Sequence, residues 1–156
     1  MLVSLVYPGI GGKGFDSIGQ GMDSGWIGHG LGILGTCARN AGHAVNLIDL
    51  RALKGWASFR RVISERNPDV AAITMMSVDY DPAMRCLEII REVNPRIVTM
   101  VGGPHPTIMP DELIDDPLID HIFLAEGEET FPDALNKLER GEPVPHIVPG
   151  THPDLD

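Results

Sequence analysis

Short apolar runs and amphipathic stretches alternate along the whole chain. The runs fall at residues 2–7, 44–48, 70–75, 96–101 and 121–125 and are rich in valine and isoleucine. Runs of this length without an apolar/polar alternation suit strands buried on both faces. Between them residues return at helical spacing: Ile27, Leu31, Leu34 and Ala38, then Met84, Leu87 and Ile90 or Arg91, then Phe131, Leu135 and Leu138. A short acidic helix fits between the fourth and fifth runs. Asp81 before Pro82 has the form of a helix N-cap with proline at the first helical position. Gly42 and Gly141 stand where helices would stop.

Strands alternating with helices predict an α/β fold with a parallel sheet, helices on both faces and right-handed crossovers. For this length the expected form is a flavodoxin-like, doubly wound sheet of five strands in the order 2-1-3-4-5, and such sheets bind ligands beyond the carboxyl ends of their strands. That edge collects the segments after Tyr7, Met75, Val101 and Ala125. Two of them bear glycine: Gly102-Gly103-Pro104-His105-Pro106 and Glu126-Gly127-Glu128-Glu129-Thr130-Phe131. Backbone without side chains admits close approach by a large ligand. Residues 1–141 are read as one domain and the proline-rich stretch 142–156 as a linker.

Composition narrows the partners. The 156 residues carry a formal charge of −10, which disfavours nucleic acid and anionic membranes. No apolar run reaches the roughly 20 residues of a membrane span, and the N-terminus lacks the basic flank of a signal peptide. A cytoplasmic protein is the default expectation. Cys37 and Cys86 each sit among apolar neighbours within expected helices, as buried structural thiols do. Two isolated cysteines imply neither a zinc site nor an iron–sulfur site.

Several motifs compete for the ligand edge. Gly9, Gly11 and Gly14 match G-x-G-x-x-G after the first strand, and Asp49 closes the second, which is the outline of a Rossmann-like NAD or flavin site. Two features oppose it: Asp16, Gly19, Gly21 and Asp23 interrupt the helix that should follow, and Asp49 lies beyond the expected spacing of about 20 residues. Lys13 is followed by Gly14 and not by Ser or Thr, so there is no P-loop. Twelve of the eighteen glycines lie between positions 9 and 42, which makes a functional or irregular loop of the stretch after strand 1. His29 opens a helix and has no metal-ligand partner at useful spacing. Asp79 and Asp81 leave open a receiver-like metal or phosphoryl site, although no acidic pair follows strand 1. Ser77 can hydrogen-bond local backbone, and His105, held between two prolines, is either a ligand contact or a surface histidine. No serine–histidine–acid order or cysteine nucleophile emerges, so the chain reads as a binding module.

The run Val101-Gly102-Gly103-Pro104-His105-Pro106-Thr107, then Pro110-Asp111-Glu112, then Asp120-His121-Ile122-Phe123-Leu124-Ala125-Glu126-Gly127-Glu128-Glu129-Thr130-Phe131, resembles the N-terminal cobalamin-binding domain of cobalamin-dependent radical S-adenosylmethionine enzymes. Ala125 replaces the first glycine of the family's G-E-G-E run. Leu31-Gly32, Gly42-His43-Ala44-Val45 and Ile48-Asp49 are also similar to that family. The resemblance implies cobalamin as cofactor. Gly102, Gly103, Pro104 and His105 would lie near its nucleotide tail or corrin side chains, Ser77 and Val78 would line the tail channel, and Glu126, Gly127 and Glu128 would meet corrin amides. The D-x-H-x-x-G motif is missing, because Ile27 stands where its aspartate should be, so base-off cobalamin without that histidine ligand to cobalt is expected. The C-x-x-x-C-x-x-C motif is also absent. The expectation is therefore an excised or truncated cofactor domain of a methyltransferase or related enzyme. S-adenosylmethionine and the iron–sulfur cluster would belong to a C-terminal radical domain of the parent chain, and this chain alone would not be catalytic.

Overall fold

A computed structural model describes residues 1–12, 14–18 and 28–151. Ile27 of the expected first helical face, Lys13, Gly19, Gly21 and Asp23 of the glycine-rich stretch, and the end of the expected linker lie outside these residues.

The strands are β1 (Leu2–Tyr7), β2 (Ala44–Asp49), β3 (Val70–Thr74), β4 (Val98–Gly102), β5 (His121–Leu124) and β6 (Ile147–Pro149). The helices are α1 (His29–Asn40), α2 (Trp56–Arg66), α3 (Tyr80–Val93), α4 (Pro104–Ile108) and α5 (Thr130–Glu139). All strand pairs are parallel, in the order β2-β1-β3-β4-β5-β6. The sheet thus has six strands where five are expected. The sixth comes from the stretch read as linker, in which Phe123 pairs with Val148 and Ile122 N–H donates to the His146 carbonyl at 2.7 Å. Pro149 can end this strand because an edge strand needs no outward N–H.

Successive strand residues face opposite layers. Val6, Ala71, Ile73, Val101 and Ile122 pack with Phe59 and Ile63 of α2 and with Cys86, Leu87 and Ile90 of α3. Val3, Leu5, Val70, Met100 and Phe123 pack with Leu31 and Ala38 of α1 and with Phe131 and Leu135 of α5. Burial of strands on both faces explains their continuous apolar runs. Cys86 is fully buried, and this pushes its thiol far above the ordinary range.

Helix ends follow local chemistry. Gly42 (φ +93°) and Gly141 (φ +71°) follow α1 and α5, and the next residue's N–H turns back into the helix in each case, His43 to Ala38 and Glu142 to Lys137. Asp81 is not the cap of α3. A 3-10 turn, Ser77–Asp79, runs straight into the helix, which begins at Tyr80 and leaves Asp81 exposed in the first turn. At the opposite end of the sheet, Asp120 accepts from Arg91 Nη2 (2.7 Å) and from the Thr99 N–H (2.8 Å), fastening α3 to β4 and β5. Among the described residues no helix is long and apolar enough to cross a membrane.

Candidate functional site

Parallel strands deliver the segments after β1, β3, β4 and β5 to one rim of the sheet, and hydrogen bonds knit three of those segments together. The Met75 N–H donates to the Gly102 carbonyl (2.8 Å), and the His105 N–H donates to the Met75 carbonyl (3.0 Å). Gly103 turns the chain between them at φ +108°. A Cβ there would sit 3.0 Å from Thr74 Oγ1 and 3.2 Å from the Met75 carbonyl oxygen. A Cβ at Gly102 would meet Phe123 Cβ at 3.4 Å, and one at Gly127 would meet Leu34 Cδ2 at 3.3 Å. The missing side chains therefore let rim segments close on their own neighbours. Pro104 opens α4 at an exposed position.

Thr107 joins the fourth and fifth segments. Its hydroxyl donates to the Gly103 carbonyl (2.9 Å) and accepts from the Ala125 N–H (3.0 Å). Ala125 has φ +55°, a left-handed conformation that costs an L-residue roughly 1–2 kcal/mol relative to its preferred regions. Ala125→Gly should therefore raise unfolding stability by about 1 kcal/mol, less the entropy that glycine adds to the unfolded chain. Urea denaturation would check this, and a destabilised variant would contradict it.

His105, beside this junction, is 5 % exposed. Its Nδ1 lies 3.0 Å from Ser77 Oγ, and its ring meets the edge of Tyr80 at 5.2 Å between centroids. Nε2 lies 3.3 Å from Glu112 Oε2, off the line of a hydrogen bond, and has no hydrogen-bond partner. Ser77 and Val78 are exposed on the same rim. Glu126 is exposed, and its carbonyl accepts from the Thr151 N–H (3.2 Å). Gly127 and Glu128 are half-buried at the entry to α5, where the buried Thr130 Oγ1 also lacks a partner. Of the nine residues singled out for the cofactor, Gly102 closes β4 and the other eight follow β3, β4 or β5 on the same rim, but His105 reaches it through Ser77 and not by its own exposed surface.

The residues of the dinucleotide alternative have other commitments. Asp49 accepts from Arg51 Nε (3.0 Å), Arg51 Nη2 (2.7 Å) and the Arg51 N–H (3.0 Å). The Arg51 guanidinium also lies 4.7 Å from the centroid of the Tyr7 ring. A Cβ at Gly9 would collide with the Tyr7 ring, and one at Gly11 would collide with the Val78 carbonyl oxygen. The Gly11 N–H approaches buried Asp79 Oδ1 at 3.4 Å. Burial raises the Asp79 carboxyl above the usual carboxylate range, opposed by the Gly11 amide and by Arg51. No helix follows this turn within residues 14–18, and Gly14 adopts φ +75°. Asp79 is buried while Asp81 is exposed, so the two do not form the open acidic pair of a receiver-like site. No group of three or more His, Cys, Asp or Glu among the described residues is placed to hold a metal ion.

The sequence gives no individual role to Thr107 or Glu112, which it shows only within a motif, nor to Arg51 or the tie between Asp79 and Gly11. Only the two-residue step from Asp49 to Arg51, suited to a capped turn, offered a local signal.

The chain is 30% identical over 145 residues to the anaerobic magnesium-protoporphyrin IX monomethyl ester cyclase of Rubrivivax gelatinosus, covering 90% of this chain and 25% of that protein. It is 31% identical over 121 residues to the cytidylyl-2-hydroxyethylphosphonate methyltransferase of Streptomyces wedmorensis, covering 65% and 23%. The chain therefore spans about a quarter of the length of these curated relatives. Its fold matches that of a cobalamin-dependent S-adenosylmethionine radical enzyme, OxsB, solved with aqua-cobalamin and S-adenosylmethionine bound. The TM-score is 0.71 at 18% identity, over 97% of this chain and 22% of that one. The family model described as B12 binding domain matches residues 23–135, which take in α1, the sheet from β2 to β5 and the knitted rim, and the chain belongs to that family.

Proposed function

We propose that the rim formed by the segments after β1, β3, β4 and β5 binds cobalamin, and that the chain is the cofactor domain of a radical S-adenosylmethionine methyltransferase or related enzyme. The observation that carries this reading is a rim with unmet needs. Val78 (64 % exposed), Ile108 (72 %), Ile18 (48 %), Met109 (43 %) and Met76 (39 %) show apolar surface in the segments that follow β1, β3 and β4. In the segment after β5, the buried Thr130 Oγ1 lacks a partner. A large ligand that combines apolar ring surface with amide and hydroxyl groups answers both needs.

Ser77 and Val78 would line the path of the nucleotide tail, with Gly102, Gly103, Pro104 and His105 forming its floor. Glu126, Gly127 and Glu128 would face corrin amides. With no D-x-H-x-x-G histidine to ligate cobalt, these residues would hold the corrinoid base-off, by surface burial and hydrogen bonds. Bound cobalamin supplies a cobalt centre able to carry a methyl group or pass electrons. Its partner would be a C-terminal radical domain of a longer parent chain, which would hold S-adenosylmethionine and an iron–sulfur cluster. Thr151 bridges Glu126 on the same rim. We place the protein in the cytoplasm.

Titration with hydroxocobalamin, followed by visible spectroscopy, tests the reading. Saturable uptake at micromolar protein, with spectral changes of a displaced benzimidazole, is the expected result. The absence of uptake, or tighter binding of NAD or flavin, would overturn it.

A further inference from the structure

We propose that His105 is a positioning residue that fixes the Ser77 hydroxyl as a hydrogen-bond acceptor toward the bound ligand, so that Ser77 meets a donor (an amide N–H or a hydroxyl) and rejects a phosphate or carboxylate oxygen. This rests on the cobalamin reading and adds the polarity of one contact.

The two ring nitrogens of a neutral imidazole have different roles: one carries the proton and the other accepts. The Glu112 carboxylate stands 3.3 Å from Nε2. A bare lone pair on Nε2 would face that charge unfavourably, whereas an N–H there is attracted to it. The proton therefore sits on Nε2, and Nδ1 is left to accept. The atom within reach of Nδ1 is Ser77 Oγ at 3.0 Å, so the serine O–H donates to the ring. A hydroxyl has a single hydrogen, and this use consumes it. What Ser77 then shows at the rim, where it is exposed, is lone pairs.

Burial makes the arrangement durable. His105 is held by its N–H to the Met75 carbonyl at 3.0 Å and by the Tyr80 ring edge, so the imidazole cannot turn out to solvent and exchange its partners. A corrinoid offers amide N–H groups and ribose hydroxyls as donors, and its phosphate offers acceptors alone. The phosphate therefore lies away from Ser77.

Two measurements test this. Long-range ¹H–¹⁵N NMR of the imidazole in the ligand-free protein reads the tautomer directly. The Nε2–H form is expected, and the Nδ1–H form would overturn the proposal. Hydroxocobalamin titration of variants reads the consequence. Ser77→Ala and His105→Leu should each weaken binding about ten-fold, the size of one well-formed hydrogen bond, and the double variant should be no weaker than either. His105→Asn, whose Oδ1 can take the place of Nδ1 as acceptor, should keep affinity within about three-fold of wild type. Equal losses in His105→Leu and His105→Asn would show a merely structural histidine and sink the idea. If wild-type protein takes up no hydroxocobalamin, the cobalamin reading falls, and the NMR tautomer still decides the relay.

Discussion

Gly103→Val should lower unfolding stability by about 2–6 kcal/mol, of which roughly 1–3 is backbone strain and roughly 1–3 is overpacking. The strain arises because Gly103 holds φ +108°, a region closed to a β-branched residue. The overpacking arises because a Cβ there would press on Thr74 Oγ1 at 3.0 Å and on the Met75 backbone. Such a loss is a large part of the 5–15 kcal/mol that keeps a domain folded. It would fall on the junction through which the segments after β3 and β4 exchange backbone hydrogen bonds. Denaturation midpoints in urea measure the first effect, and hydroxocobalamin uptake by the surviving folded fraction measures the second. A variant within about 1 kcal/mol of wild type would contradict the packing role assigned here. Full stability with lost uptake would show that the space at Gly103 is kept for the ligand and not for Thr74 and Met75.

That distinction marks how far the sequence could be read. Five strands are legible because parallel strands buried on both faces must be continuously apolar, and the observed β1 to β5 depart from the expected runs by two residues at most. The sixth is hidden because Ile147-Val148 is too short a run to stand out between Pro145 and Pro149, and its partner surface, the outer edge of β5, exists only after folding. Helix α2 gives little signal for a similar reason. Its buried positions, Phe59 and Ile63, form one i,i+4 pair among Arg60, Arg61, Glu65 and Arg66. The observed start of α3 at Tyr80 differs from the expected one because proline at 82 fits any position in a first turn, so Asp81-Pro82 does not fix the boundary to the residue.

At the site, the pattern of glycines and strand ends carries the location of the rim but not the work each residue does there. Position alone says that Gly103 and Gly127 bend or thin the backbone. Only coordinates tell that the space is taken up by Met75, Thr74 and Leu34. His105 is legible as a residue fixed by flanking prolines. Its link to Ser77 spans 28 residues of sequence and has no local trace. Thr107, which ties Gly103 to Ala125, stands in the quoted motif yet looks like any surface threonine until the two loops are brought side by side.

Asp49→Ala should be the other costly substitution, at about 3–5 kcal/mol, because it strands a buried guanidinium. The side chains of Arg51 and Asp49 are only 9% and 10% exposed, and both carboxylate oxygens are bonded to the guanidinium. Asp49 also accepts the Arg51 N–H and so caps the 3-10 turn that follows β2. Asp49→Asn keeps an acceptor for that N–H and should lose about half as much. The diagnostic variant is the double replacement of Asp49 and Arg51 by alanine. Removing both charges leaves no unpaired ion, so it should recover at least about 1 kcal/mol relative to Asp49→Ala alone. A ribose-binding aspartate would behave differently: its loss would leave denaturation midpoints within about 0.5 kcal/mol of wild type, as at an uncommitted surface position, and would weaken nucleotide binding instead. Midpoints that move by several kcal/mol, with hydroxocobalamin affinity retained in the folded fraction of Asp49→Asn, would assign Asp49 to holding the β2 end of the rim in shape.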